Sequence, residues 1–290
     1  MTPSSTPGSR LPAWAAKKRG ILREARPLRR LLRAYGLNTV CESARCPNIG
    51  ECFARPTATF MIAGTRCTRS CGFCAVDTAR PAPLDPGEPL RLAQAARRLG
   101  LAHVVVTAVA RDDLADGGAA HFAATIRALR AEAPATRVEV LTPDFKGDED
   151  ALRTVLAAGP DVFNHNLETV RRLTVAVRPQ ARYERSLAVL ARAKALAPAV
   201  LSKSGLMVGL GERRDEIAAA LADLRAAGCD LLTVGQYLQP TRRHLPVVEY
   251  VPPVVFDEYA KLARALGFRH VASGPLVRSS YHAEETFAAA

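Results

Sequence analysis

Short apolar runs rich in Val, Thr, Leu and Phe recur along this chain, separated by longer stretches in which Ala, Leu and Arg repeat at helical spacing. Residues 57–61, 103–108, 137–142, 161–168, 203–209 and 231–236 read as strands. Residues 90–99 and 215–227 are examples of the amphipathic helices between them. Apolar strands alternating with helices predict βα units and a parallel sheet, hence an α/β fold. Six such units are too few for the eight of a closed barrel, so the pattern predicts a partial, open (β/α)6 barrel over residues 57–267. An N-terminal extension (1–56) and a C-terminal tail (268–290) flank it. The Pro/Ser-rich first nine residues and the Ala-rich end of the tail are expected to be disordered.

Composition agrees with one large domain. At 290 residues and 48% hydrophobic, the chain can bury a substantial core. No apolar run approaches the ~18 residues needed to cross a bilayer, and the N-terminus has no secretory h-region. Net charge is +12, with basic residues dense between 17 and 33. Leu and Ile interleave there, which suggests a helix with one apolar side, interrupted by Pro27. Such a segment suits a nucleic-acid patch, a membrane-surface helix, a solvated face or the docking of an acidic protein. Charge alone does not choose among them.

Cysteine spacing changes the picture most. Cys41, Cys46 and Cys52 form C-x4-C-x5-C, and Cys67, Cys71 and Cys74 form C-x3-C-x2-C. Each triplet is one thiolate short of the four ligands that close a tetrahedral zinc or iron–sulfur site. Zinc sites usually pair their cysteines as C-x2-4-C twice, so these triplets point instead to sites with one open position. The second triplet follows the first strand in a polar, glycine-containing loop, at the strand end where α/β folds bind ligands. Clustered free cysteines and no secretion signal favour a reducing compartment, the cytoplasm. Cys229 stands alone and reads as a small core residue.

The second triplet, within TATFMIAGTRCTRSCGFCAV, resembles the signature of the radical S-adenosylmethionine (SAM) superfamily. There three cysteines hold a [4Fe–4S] cluster whose open iron is chelated by SAM, and Phe73 matches the aromatic before the third cysteine. CESARCPNIGECF, followed closely by that loop, resembles the lipoyl synthase family. The resemblance implies a radical SAM partial barrel and a second, auxiliary [4Fe–4S] cluster on Cys41, Cys46 and Cys52. Its fourth ligand, the serine before tyrosine in an R-S-S-Y segment, corresponds to Ser280. An oxygen ligand is harder and more labile than thiolate, so it is a plausible opening point for a cluster that must come apart. Similarity runs from LPAW at Leu11 to HAEE at Glu285, which leaves little room for an organelle transit peptide. The chain departs from the family at Ala110 (usually acidic), Arg171 (usually Pro) and Gln180 (usually Gly).

SAM contacts follow less directly. Gly205, Met207, Gly209 and Glu212 resemble a superfamily G-x-I-x-G-x-x-E pattern in which glycines admit the cofactor. Thr107 and Arg111 are candidates for SAM's amino and carboxylate ends. Asn164, Asn166 and Glu168 would alternate onto one strand face towards the ribose, with His165 outward. Gln236, Tyr237 and Gln239 are candidates for the adenine or substrate side.

By resemblance, the reaction inserts two sulfur atoms at C6 and C8 of an octanoyl-lysine, with the auxiliary cluster consumed as sulfur source. The implied partners are an octanoylated carrier domain (2-oxoacid dehydrogenase E2 or glycine cleavage H protein), an electron donor, and an iron–sulfur carrier that rebuilds the cluster. A radical SAM methylthiotransferase for transfer RNA is the alternative. Such enzymes place a whole domain before the SAM loop, whereas 66 residues precede Cys67 here.

Overall fold

The computed structural model describes residues 12–15, 26–44, 46–53 and 55–288. Residues 16–25 of the basic segment, the Pro/Ser-rich first nine residues and the last two alanines of the tail lie outside the described residues, whereas Ala288 closes the final helix. Three short helices come first: α1 (Arg26–Ala34), α2 (Val40–Ser43) and α3 (Ile49–Cys52). The sheet then begins with β1 (Thr57–Ile62), followed by a two-residue pair, β2 (Arg66–Cys67) and β3 (Asp77–Thr78). Alternation follows through α4 (Glu88–Arg98), β4 (His103–Ala108), α5 (Ala119–Glu132), β5 (Arg137–Leu141), α6 (Glu149–Ala157) and β6 (Val162–Asn164). Next come α7 (Thr174–Val177), α8 (Tyr183–Leu196), β7 (Leu201–Val208), α9 (Arg214–Ala226) and β8 (Leu231–Gln236). The chain ends in α10 (Pro253–Ala265), β9 (His270–Gly274) and α11 (Ala283–Ala288).

The large sheet runs β1-β4-β5-β6-β7-β8-β9, all parallel. Six βα units are present, but the sheet gains a seventh strand from the segment expected to be only a tail. His270–Gly274 is short and carries Gly and Ser, so its sequence lacks the apolar signal of the other strands. A second difference concerns 161–168. Only Val162–Asn164 is strand, and Glu168 adopts φ 69°, joining Leu206 through an isolated bridge. The expected alternation of Asn164, Asn166 and Glu168 along one strand therefore does not hold. The interruption expected at Pro27 cannot be followed upstream, because the residues before Arg26 lie outside the described residues.

Strand alternation sorts the residues onto two faces. Val104, Val106, Val138, Val140 and Phe163 face Leu92, Phe122, Ile126 and Leu152 of the covering helices in one apolar core. Leu206, Val208, Leu232 and Val234 pack on Ile217, Leu221 and Phe256 in a second. Each such side chain stabilises the fold by roughly 1.5–3 kcal/mol relative to exposure.

The inner face is polar instead. Lys203 Nζ lies 3.0 Å from both carboxylate oxygens of Glu139, and the two side chains are 0% and 1% exposed. Asn164 Nδ2 donates to Glu139 Oε1 at 2.8 Å, and His103 Nε2 approaches Oε2 at 3.6 Å. Burial alone would push the Glu139 carboxyl up. The Lys203 charge and the His103 and Asn164 contacts outweigh it and hold it well below the ordinary range. Because the folded value is depressed, this stabilisation is present above the unfolded pKa of about 4.3 and is lost as pH falls towards the folded value. Lys203→Met should cost about 3–5 kcal/mol at neutral pH by stranding a buried carboxylate. Urea unfolding at pH 7 and pH 4 measures this, and the deficit should shrink at the lower pH.

Candidate metal and cofactor centre

β1 ends in a backbone reversal that launches the second cysteine triplet. Ala63 has φ 65° and Gly64 φ 99°. A left-handed alanine costs about 1–2 kcal/mol and persists only where its surroundings over-determine it. Glu88 Oε2 accepts from Ala63 N–H at 2.9 Å, and Arg111 Nη1 donates to its carbonyl at 3.1 Å. The reversal places Cys67 in β2, where its Sγ accepts from Ala110 N–H at 3.3 Å and Arg69 N–H at 3.4 Å.

Neighbouring segments clamp the rest of the loop. Gly72 donates to the Val177 carbonyl and accepts from Leu245 N–H, both at 2.9 Å. A Cβ on Gly72 would sit 2.8 Å from Leu245 Cδ1, so a larger residue here would require the Leu245 side chain to shift. His244 Nε2 reaches the Cys74 carbonyl at 3.0 Å. Phe73 packs with Met207, Val177, Leu210 and Tyr237. Arg69, 7% exposed, forks onto both carboxylate oxygens of Asp112 at 2.7 and 2.8 Å and reaches Asp144 at 2.6 Å. Burial pushes Asp144 up, but Arg69 overcomes it and holds that carboxyl down at about 2.

The remaining SAM candidates divide by what they touch. Asn164 Oδ1 and Asn166 Oδ1 are buried acceptors with no hydrogen-bond partner among the described residues. Asn166 Oδ1 lies 2.8 Å from where a Cβ on Gly205 would be, so Gly205 makes room for it. Orphaned acceptors on the inner face suit a ligand that brings donors, as SAM's ribose hydroxyls and adenine amine would. Burial raises the Glu168 carboxyl, opposed by Arg178 and by Asn166, whose Nδ2 donates to it at 3.0 Å. Other candidates are occupied by the protein itself. Arg111 forks onto Asp113 at 2.9 and 2.8 Å, and Thr107 donates to the Leu141 carbonyl at 3.0 Å. Gln236 bonds the backbone of Tyr237, Glu249 and Val251. Gly209 yields to the Glu249 carbonyl, which lies 2.5 Å from where a Cβ on that glycine would be. Glu212 caps the Gly209 and Leu210 N–H groups. Gln239 Nε2 donates to the His244 carbonyl. His165 faces away and bonds Thr142 and Ser186.

The first triplet lies beside the start of β1. Cys41, Cys46, Cys52 and Ser280 line one small cavity, together with Thr57, Thr59, Arg55 and Arg278. A polar latch joins the two chain ends around it. Asn48 Nδ2 donates to the Leu276 carbonyl at 2.6 Å, and Tyr281 Oη and His282 Nε2 each meet Glu51 Oε1 at 3.0 Å. Arg55 pairs with Glu284 and Glu285, and Thr57 Oγ1 donates to Glu284 at 2.9 Å. Cys41 is raised first by a hydrogen bond with Cys46 and then by burial, while burial pushes Cys52 up to about 12 and Cys74 up to about 11. Metal binding would therefore displace protons from these thiols.

Among the described residues, no three His, Cys, Asp or Glu side chains gather tightly enough for a single metal ion. A cubane engages each thiolate through a different iron, so three spread sulfurs fit a cluster better than a lone ion. The three cysteines of each triplet, with a serine hydroxyl in the same cavity as the first, are donors of the kind such a cluster takes.

Comparison with known proteins decides the family. The radical SAM superfamily pattern matches residues 61–224. A lipoyl synthase of Rubrobacter xylanophilus is 62% identical over 260 residues, which is 90% of this chain and 81% of that protein. A lipoyl synthase of Caldanaerobacter subterraneus subsp. tengcongensis is 57% identical over 95% of this chain and 96% of its own length. This chain belongs to the lipoyl synthase family. A methylornithine synthase structure shares the fold at TM-score 0.55 and 14% identity, covering 86% of this chain and 81% of that one. The family carries out radical SAM chemistry, which implies SAM and [4Fe–4S] cofactors. These relatives do not favour the transfer-RNA methylthiotransferase alternative. Among the described residues, no helix is long and apolar enough to cross a membrane.

Three departures from the family's usual sequence have local consequences. Ala110 keeps only its backbone contacts with Cys67 and Thr68. Gln180 bonds Ser70, inside the second triplet, through both Oε1 and Nε2. Arg171 stacks over the Tyr183 ring at 4.4 Å. Arg69, Arg178 and the Glu51 latch were not identified from sequence. Arg69 stands within the triplet, yet nothing in a single sequence marks Asp144, 75 residues on, as its partner. Arg69→Met should loosen this loop alone. With Cys41, Cys46 and Cys52 replaced by Ala, iron retained after anaerobic reconstitution should fall at least severalfold relative to the same background carrying Arg69.

Proposed function

We propose that this chain inserts two sulfur atoms, at C6 and C8, into an octanoyl group carried on a lysine. In this reading Cys67, Cys71 and Cys74 hold a [4Fe–4S] cluster that binds SAM. Cys41, Cys46, Cys52 and Ser280 hold a second, auxiliary cluster that yields the sulfur. The observation that carries the reading is the single cavity lined by three N-terminal cysteines and a C-terminal serine. Together, SAM and its cluster would supply a carbon-centred radical able to take hydrogen from an unactivated methylene.

The protein's part is position and exclusion of water. Asn164 and Asn166 offer acceptors to the ribose and adenine of SAM, while Phe73 and Met207 add apolar surface packed on Val177, Leu210 and Tyr237. Ser279 Oγ accepts from Asn166 Nδ2 at 2.9 Å, so the serine ligand's neighbour touches the SAM side of the barrel. An acyl chain lying between the two sites would thus meet both. The weak oxygen ligand at Ser280 is where the auxiliary site opens. The proposed carrier is a lipoyl domain of a 2-oxoacid dehydrogenase E2 or a glycine cleavage H protein, drawn by the chain's net positive charge. An external electron donor, an iron–sulfur carrier and a reducing, cytoplasmic setting complete the proposal.

An anaerobic assay with dithionite, SAM and an octanoyl-lysine peptide, followed by mass spectrometry, tests this. Ser280→Cys should retain SAM cleavage to 5′-deoxyadenosine yet lose sulfur insertion by at least tenfold. Undiminished dithiolated product from that variant would overturn the assignment of Ser280.

A further inference from the structure

Two arginines line the first-triplet cavity, and they differ in their company. Arg55 is held by the carboxylates of Glu284 and Glu285. Arg278 makes no ion pair with a carboxylate among the described residues; its Nη1 donates to the main-chain carbonyls of Val277 at 2.6 Å and Pro275 at 3.4 Å. It lines the same small cavity as Cys41, Cys46, Cys52 and Ser280. A guanidinium does not deprotonate at neutral pH, so a partly buried one needs an anion beside it.

The position of this arginine is set by the sheet rather than by a loose loop. The Val277 carbonyl lies 2.1 Å from where a Cβ on Gly235 would be, and Arg278 Nη1 lies 3.3 Å from it. The tail can settle this closely onto β8 only because residue 235 is glycine. Arg278 is therefore delivered to the cavity lined by the three cysteines by a backbone contact between strand and tail.

We infer that Arg278 is the counter-charge of the auxiliary cluster, and that it sets the cluster's reduction potential. The inference rests on the proposed auxiliary site. A cubane with three thiolates and one oxygen ligand is net negative and becomes more so on one-electron reduction. A fixed cation lining the cluster's cavity stabilises the reduced form more than the oxidised one, and net charge near a cluster is among the terms that tune its potential.

The test uses protein in which Cys67, Cys71 and Cys74 are alanine, so that only the auxiliary cluster assembles. Its midpoint potential is read by electron paramagnetic resonance during a dithionite titration. Arg278→Gln should weaken one-electron reduction at least tenfold, a shift of about 59 mV to more negative potential. Arg278→Lys, which keeps the charge, should remain near the parent. In the metal-free protein Arg278→Gln should leave the urea midpoint unchanged or raised, since it removes a charge without its anion. An unshifted potential in Arg278→Gln, or an equal shift in Arg278→Lys, overturns the counter-charge role. A parent protein that binds no iron would instead overturn the auxiliary-site assignment beneath it.

Discussion

Convergence of the two ends of the chain on one cavity is the constraint around which this molecule is organised. Cys41 and Cys52 arrive from short helices before the sheet, Cys46 from the segment between them, and a serine from the segment after the last strand. Neither segment has a large core of its own. They are held by Asn48 on the Leu276 carbonyl, by Glu51 between Tyr281 and His282, and by Arg55 on two glutamates. Exposed pairs of this kind contribute little individually, about 0–1 kcal/mol each. Their number and their anchoring to β1 through Thr57 give the arrangement its definition.

The second triplet depends on a different device. Its loop is fixed by buried charge and close backbone contact: Arg69 between Asp112 and Asp144, and Gly72 between Val177 and Leu245. Both sites thus flank β1, one beside its first residues and one beyond its last. The inner face of the sheet between them carries orphaned acceptors rather than a packed apolar core. That combination suits a reaction in which a radical formed at one site must reach a substrate held within range of the other.

Much of this was legible in the sequence. Apolar runs carrying β-branched residues marked β1, β4 and β8, which are buried almost throughout, and cysteine spacing marked both triplets. The seventh strand escaped because it is short and poor in β-branched residues. The SAM contacts were harder because periodicity gives the face a residue occupies but not its partner. Arg111, Gln236 and Gly209 stand at strand ends as expected, yet their contacts are to Asp113, to backbone carbonyls and to Glu249. Long-range polar partners such as Arg69 with Asp144, or Ser279 with Asn166, leave no local signal.

The central claim is that the Cys41, Cys46, Cys52 and Ser280 site is the sulfur source. The most direct test is to rebuild the clusters with 34S-sulfide, remove free sulfide, and run a single anaerobic turnover on an octanoyl-lysine peptide. The account predicts a product in which both inserted atoms are 34S, with iron lost from the first-triplet site and retained at the second. Product bearing unlabelled sulfur, or labelled product from a protein lacking Cys41, Cys46 and Cys52, would contradict it.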